Sequence, residues 1–368
     1  MYYYLKRSIQ INSKMKVFLI VIELCLLNSI QLISSFKLNN VKTAKLEHSF
    51  GHNSHGLTKV KDLNQSMEMA LTLVTGSMAN TQLVASYYET IQGLTLFDLT
   101  DMHVKLKGSV VLISQVFNTS FYEYICENGN RKTHCFASNS EVSIPESLRT
   151  VIIGILGLET ILSLNSHSIM SKTILSSENL QPQTTYSYFI PPQVAQVYGF
   201  PNSDGSGIRV GIISLGGYFN QTDLDNYFSS NSLGTAPSIN IVYVDGATMD
   251  FVDPNDESVE NYLDVEIIAS IVPKASITLY FAPNTFAGFY DAINSALQQS
   301  DVVSVSWAAR ESATSSYWTS YQTLFSTYSS VPVFIASGDY GSYDQFGYTT
   351  VWFPTSCPNA IGLYISYL

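Results

Sequence analysis

The sequence predicts an α/β protein: a doubly wound, mostly parallel sheet in its C-terminal half, preceded by a small α/β domain. Three observations carry that prediction. Continuous apolar, β-branched runs such as "IRVGIISLGG" (208–217) and "VPVFIASGDYG" (331–341) end in glycines, as strands buried on both faces do. Segments with apolar residues three to four apart alternate with these runs. The 368 residues are 46% hydrophobic and only 13% charged, which argues against disorder and suffices for two or three domains.

In chain order, residues 1–35 read as a secretory signal peptide, with the start at Met15 rather than Met1. Lys14 and Lys16 precede an apolar core, Val17–Leu27, and Ser34 and Ser35 offer small residues before a cut. An uncleaved membrane anchor is the open alternative; Glu23, Asn28 and Gln31 weaken it, and no later run is long enough to span a bilayer. The chain is therefore expected to be secreted or held in a lysosome or acidic vesicle. Residues 36–66 are polar and are expected to be irregular.

Residues 67–164 read as the small α/β domain. "VKLKGSVVLISQVFNTSFYEYIC" offers strand, helix and strand, and "IPESLRTVIIGILGLE" a Pro-initiated helical turn and an apolar segment. Residues 165–186, rich in Ser, Thr, Gln and Asn, read as a linker open to proteolysis. From 187 to 368 strands and helices alternate: "INIVYVDGA", a helix over 257–271 with an apolar stripe of Val259, Leu263, Ile267 and Ile271 and stopped by Pro273, "SITLYFAPN", "GFYDAINSALQQ", "VVSVSWAA", "SYWTSYQTLFSTYSS" and "VPVFIASGDYG". Ligands of such sheets gather beyond the carboxyl ends of the strands.

A secreted chain can use its cysteines for disulfides. Cys126 and Cys135 bracket "ENGNRKTH", whose Asn-Gly-Asn favours a turn, so a disulfide across a hairpin is expected; Cys357 is left over. Asn64, Asn118 and Asn220 stand in Asn-X-Ser/Thr glycosylation sequences.

Charge is unevenly placed. Of 18 basic and 29 acidic residues, the stretch from Thr185 onward holds three and sixteen. So acidic a half does not suit nucleic-acid binding, and it suits work at low pH. All six histidines lie at or before His167. A Ser–His or Cys–His couple contained in the acidic half is thereby excluded.

Without histidine, the candidates for chemistry are carboxylates. Glu260 and Asp264 in "VENYLDVEII" are four apart, hence neighbours on one helix face. Like charges that close raise at least one pKa, so a carboxylic acid could carry a proton in mild acid. From spacing alone, ordinary surface acids are the simpler reading. Asp339 in "ASGDYGS" follows an apolar strand directly, where a parallel sheet delivers functional groups, although an Asx turn would explain it too. Trp307 in "SVSWAA" ends another strand and is, taken singly, a core residue or a substrate wall.

Taken together, these segments resemble a known family. "YSYFIPPQVAQVYGFPNSDGSGIRVGIISLGGYF", "ENYLDVEIIASIVPKASITLYFAPNTFAGFYDAINSA", "VVSVSWA", "ASGDYGS" and "FPTSCPNAIGL" follow the order of the sedolisins, the serine-carboxyl peptidases. The segment before them, from about residue 67, resembles the activation prodomain that sedolisins carry. The resemblance implies a subtilisin-like peptidase domain after a ferredoxin-like prodomain that inhibits it, with peptides or proteins as substrates. It implies that Glu260 is the general base for a nucleophilic serine and that Asp264 orients it. It implies that Asp339 is the protonated acid at the oxyanion and that Ser306, Trp307 and Ala308 line the substrate. It also implies Ca2+ for the intact domain, with the metal ligands absent from this chain.

The chain departs from the family at one point that matters. The family's Ser-Gly-Thr-Ser-like nucleophile motif, expected after "FPTSCPNAIGL", is absent. The expectation is therefore a precursor truncated before its serine, its sheet incomplete at the C-terminus, and inactive as written. Smaller departures are Ser214 and Trp352, where some relatives carry acids, so substrate preference does not transfer. An alternative of another class is a non-catalytic, prodomain-bearing module that inhibits or chaperones an active sedolisin. A histidine-dependent hydrolase is disfavoured by where the histidines lie.

Overall fold

A computed structural model describes residues 58–62, 67–128, 131–138, 142–160, 164–166, 189–250, 257–311, 317–339, 341–343 and 348–363. The expected signal peptide, Asn64 and most of the expected linker lie outside them. Among the described residues no helix is long and apolar enough to cross a membrane.

The first unit runs β1 (Thr58–Asp62), β2 (Glu68–Val74), α1 (Met78–Tyr88), β3 (Thr95–Leu99), β4 (His103–Ser109), α2 (Val110–Val116), β5 (Phe121–Asn128), β6 (Arg131–Ser138) and β7 (Gly154–Leu156). Both helices start where a serine can cap them. The Ser77 hydroxyl accepts from Asn80 N at 3.3 Å and the Ser109 hydroxyl from Leu112 N at 3.3 Å. An antiparallel sheet forms in the order β3-β4-β2-β7. With α1 and α2 interleaved, this is the β-α-β-β-α-β pattern of the expected ferredoxin-like unit. Leu71, Leu73, Val84, Tyr88, Val104, Leu106, Ile113 and Phe117 form its core. A second small sheet, β1-β5-β6, extends it. Strand β1 corrects the expectation of an irregular 36–66: its "TKVKD" pairs antiparallel with β5, and that ladder satisfies backbone groups which polar side chains gave no reason to place in a strand.

After β8 (Asn165–Ser166), the second unit comprises α3 (Pro191–Val197), β9 (Arg209–Ser214), α4 (Gln221–Ser230), β10 (Asn240–Tyr243), α5 (Glu257–Ile271), β11 (Ser276–Phe281), α6 (Phe286–Gln299), β12 (Val302–Val305), β13 (Trp307–Arg310), α7 (Trp318–Thr327), β14 (Val333–Ala336), β15 (Trp352–Phe353) and β16 (Ala360–Leu363). Six strands form an all-parallel sheet, β10-β11-β9-β12-β14-β16. Alternate strand residues feed two cores, because successive side chains leave a strand on opposite faces. Val210, Ile212, Leu279 and Phe334 pack with Leu224 and Phe228 of α4 and Val265 and Ala269 of α5. Ile213, Val303, Val305 and Ile335 pack with Phe289, Ile293 and Leu297 of α6 and Leu324 of α7. The doubly wound parallel sheet expected from the sequence is present.

Val74, Met102, Leu156 and Leu164 of the first unit belong to that second core. The ferredoxin-like sheet thus seats on the α6–α7 side of the parallel sheet.

One predicted element is two. "VVSVSWAA" breaks at Ser306: β12 stays in the parallel sheet, and β13 turns out to pair antiparallel with β15 and β8. Both halves are apolar, so hydrophobic pattern alone could not reveal the break.

Candidate active site

Glu260 and Asp264 lie on α5, and the loop after β9 holds that helix at its start. Gly217 has φ of +69°, and a Cβ there would sit 2.5 Å from Ser258 N, so only glycine lets the loop come this close. The Ser258 hydroxyl accepts from Tyr218 N at 3.1 Å. Asn261, 1% exposed, donates from Nδ2 to Gly216 O at 2.9 Å and Tyr218 O at 3.3 Å. Ser214 donates to Gly216 O at 3.0 Å, which ties the loop to the end of β9.

The inner face of this helix mixes polar with apolar residues. Glu260, Asn261, Val265 and Ala269 are buried, whereas Ile267 is 44% exposed. Leu263, Ile267 and Ile271 instead line an outer groove with Phe189, Val194 and Tyr198. The expected apolar stripe of Val259, Leu263, Ile267 and Ile271 is therefore not the face that meets the sheet. Leu263 and Ile267 therefore lie away from the buried side of the helix that carries Glu260.

Glu260 is 6% exposed, and its Oε2 has no hydrogen-bond partner among the described residues. Burial first, then the negative charge of Asp264, raises its pKa; Ser306 opposes, and the charge of Asp339 adds to the rise. Asp264 is raised by burial and partly relieved by Ser306, whose hydroxyl donates to Asp264 Oδ1 at 2.8 Å. No Lys, Arg or His makes an ion pair with either acid among the described residues. Two adjacent buried carboxyls without a counter-cation hold protons well above the usual carboxylate range.

Asp339 stands in the loop after β14, beyond the carboxyl end of that strand. It is half-buried, and burial raises its pKa. The turn depends on Gly338, with φ of +92° and a would-be Cβ 2.5 Å from the Trp352 indole nitrogen. The structure thus brings Glu260, Asp264, Ser306 and Asp339 together, from α5, the β12–β13 break and the β14 loop. Trp307 and Ala308 are buried, Trp307 among core side chains at 1% exposure. What β13 presents to another chain is therefore backbone. Its Trp307 and Ala308 already pair antiparallel with Ser166 and Asn165 of β8.

Of the other expected sites, Cys135 is disulfide-bonded. The side chain of its expected partner Cys126 lies outside the described residues. Cys357 is a buried free thiol. Asn118 and Asn220 are exposed, and the Asn220 side chain caps α4 by accepting from Thr222 N at 2.9 Å. The sequence reading missed Asn261 and Ser258. An Asn and a Ser beside acids near the start of α5 were their signal, but only packing distinguishes a clamp from a solvated face.

Fold and site together describe a parallel α/β domain with a cluster of acids, packed against a ferredoxin-like unit. Residues 58–161 match the family described as Pro-kumamolisin, activation domain. Over 265 residues the chain is 32% identical to kumamolisin of Bacillus sp. (strain MN-32), covering 69% of this chain and 47% of that protein. A sedolisin of Pseudomonas, a serine-carboxyl proteinase complexed with two molecules of pseudo-iodotyrostatin, gives a TM-score of 0.42 at 24% identity over 49% of this chain and 54% of that one. That structural likeness is too partial to argue from; the sequence matches carry the assignment. The chain belongs to the sedolisin family, a family of serine-type peptidases, and bears its activation domain. It spans about half the length of kumamolisin.

Proposed function

We propose that these residues supply the carboxylate half of an acid-acting serine-carboxyl peptidase. In this reading Glu260 is the general base that takes the proton of a serine hydroxyl attacking a peptide carbonyl. Asp264 orients Glu260 and shares its proton, with Ser306 holding the pair in register. Asp339, protonated in acid, donates a hydrogen bond to the oxyanion of the tetrahedral intermediate. The observation that carries the reading is the convergence of three buried or half-buried acids with raised pKa values and no cation among them. Surface acids would not be sequestered so.

The backbone of Ser306–Ala308 is proposed as the strand along which a peptide substrate lies. The pairing of β8 with β13 supports a self-inhibitory role for the activation domain, since β8 takes the place a substrate strand would need. Secretion through the N-terminal signal, glycosylation at Asn64, Asn118 and Asn220, and the Cys126–Cys135 bridge belong to the same reading. For calcium, no group of three or more His, Cys, Asp or Glu side chains among the described residues could hold a metal, and no step is assigned to one.

No Ser-Gly-Thr-Ser sequence occurs in the 368 residues. Expressed alone at pH 3–5, they are expected to cleave no peptide. Fused to a serine-bearing segment from kumamolisin, they are expected to gain acid-dependent cleavage that Glu260→Gln abolishes. Turnover by the fusion that survives Glu260→Gln would overturn the assigned roles.

A further inference from the structure

Residues 282–285, between β11 and α6, form a tight loop. Ala282 N donates at 3.0 Å to the carbonyl of Ser214, at the end of β9. Thr285 N donates to Pro283 O at 2.7 Å, and the Thr285 hydroxyl caps α6 by accepting from Gly288 N at 3.0 Å. Gly288 lets the loop fold onto the helix, since a Cβ there would stand 2.4 Å from Pro283 O. The loop thus holds half-buried Asn284 in a fixed place. Asn284 Oδ1 accepts from Leu164 N at 2.8 Å, and its Nδ2 donates to Leu164 O at 3.0 Å. The two bonds fix the orientation of the amide, because the opposite one would set donor against donor and acceptor against acceptor.

A side-chain amide that pairs with both the N–H and the C=O of one residue does what a neighbouring strand does. Leu164 directly precedes β8, whose Asn165 and Ser166 pair with Ala308 and Trp307 of β13. The covering strand is therefore gripped by two elements in succession, Leu164 by Asn284 and the next two residues by β13. The Leu164 side chain, 2% exposed, belongs to the apolar core that also holds Phe286 and Trp307. The Asn284 grip is made to backbone alone, so any extended chain with a free N–H at that place satisfies it.

We propose that Asn284 is a substrate-positioning residue: once the covering strand has left, its amide pairs with the N–H and C=O of the substrate residue that replaces Leu164. The ligand is an extended peptide along β13 with an apolar residue at that place. Proline or an N-methylated residue there has no N–H to give and leaves Asn284 Oδ1 without its donor. The proposal rests on a substrate lying where β8 lies, not on the roles of Glu260, Asp264 and Asp339.

Peptide binding tests this without turnover. In the 368-residue chain carrying Leu164→Pro, the chain's own strand offers Asn284 no N–H. A labelled peptide of residues 159–170 is titrated against it at pH 5 by fluorescence anisotropy, beside the same peptide with N-methyl-leucine at the place of Leu164. The plain peptide should bind about tenfold tighter, as loss of a hydrogen bond that leaves a buried acceptor unpaired predicts. With Asn284→Ala added, the two peptides should bind alike. A merely structural role for Asn284 would weaken both by the same factor. Equal binding of the two peptides, discrimination that survives Asn284→Ala, or no saturable binding overturns the proposal. Should Leu164→Pro not fold, the wild-type chain takes its place; the peptides then compete with β8, and the ratio of their affinities decides in the same way. The serine-bearing fusion extends the test to substrates of unrelated sequence. There Asn284→Ala should raise KM about tenfold, and by more than it lowers kcat, for a substrate with leucine at that place, and should change KM little for its N-methyl counterpart. An unchanged KM for the leucine substrate would make Asn284 an anchor for the activation domain alone and overturns the proposal. Failure here would leave the peptidase reading standing, and an inactive fusion would leave the binding result to decide.

Discussion

Two carboxylate pairs sit on opposite sides of the same parallel sheet and are managed in opposite ways. Glu260 and Asp264 on α5 have a serine hydroxyl and each other. Asp245 and Asp291, on the α6 side, have the ammonium of Lys105. The first pair retains protons because nothing nearby favours its charge; only when the two share a single proton is one carboxylate left ionised to act as a base. The second pair holds a neighbouring unit in place through its charge, which suits a contact that acid weakens. A fall in pH can therefore act on both: it favours the protonated form of the first pair and weakens the hold of Asp291 on Lys105.

The largest effect should come from removing the cation. Lys105→Ala leaves Asp291, 3% exposed, beside Asp245 without a counter-charge, a change that costs about 3–5 kcal/mol for buried pairs. Urea unfolding should show that loss at pH 7 and a smaller one at pH 4, where Asp291 is neutral. Equal losses at both pH values would break the contrast. Next is backbone strain. Gly338→Ala forces a side chain into φ of +92° against Trp352 and should cost roughly 1–3 kcal/mol, read as a lower urea midpoint. It should also displace Asp339 and so lessen the pH dependence of Glu260. Smaller still is Ser306→Ala, which removes the 2.8 Å hydrogen bond to Asp264 and should cost about 1 kcal/mol at neutral pH and less in acid. A Ser306→Ala chain destabilised more at pH 4 than at pH 7 would mean that Asp264 does not rely on this hydroxyl when ionised.

Much of this architecture was legible in the sequence. Glycine-closed apolar runs gave the parallel strands, and Pro273 gave the end of α5. The site was legible only through motif order. Periodicity on α5 pointed to Val259, Leu263, Ile267 and Ile271 as the inner face, yet Glu260 and Asn261 are inside and Ile267 is outside. A helix that hides acids and shows an isoleucine breaks its own pattern, and functional positions are where such breaks are expected. The turn at Ser306 was invisible because both flanking strands are apolar. The Lys105–Asp291 contact joins residues 186 positions apart and has no local signature at all.

The central claim is that Glu260 and Asp264 hold protons in the folded chain that the unfolded chain has lost. The sign follows from their raised pKa values. An acid raised by folding costs nothing below its unfolded value near 4, and stability falls as pH rises from there through the folded value, by about 1.4 kcal/mol per pH unit for each proton held. The direct measurement is unfolding free energy from pH 3.5 to 7.5 for the wild-type chain and for Glu260→Gln/Asp264→Asn. The account predicts that the wild type loses stability relative to the double variant as pH rises, and that the difference disappears in acid. Parallel curves across that range would contradict it and return the two acids to ordinary structural residues.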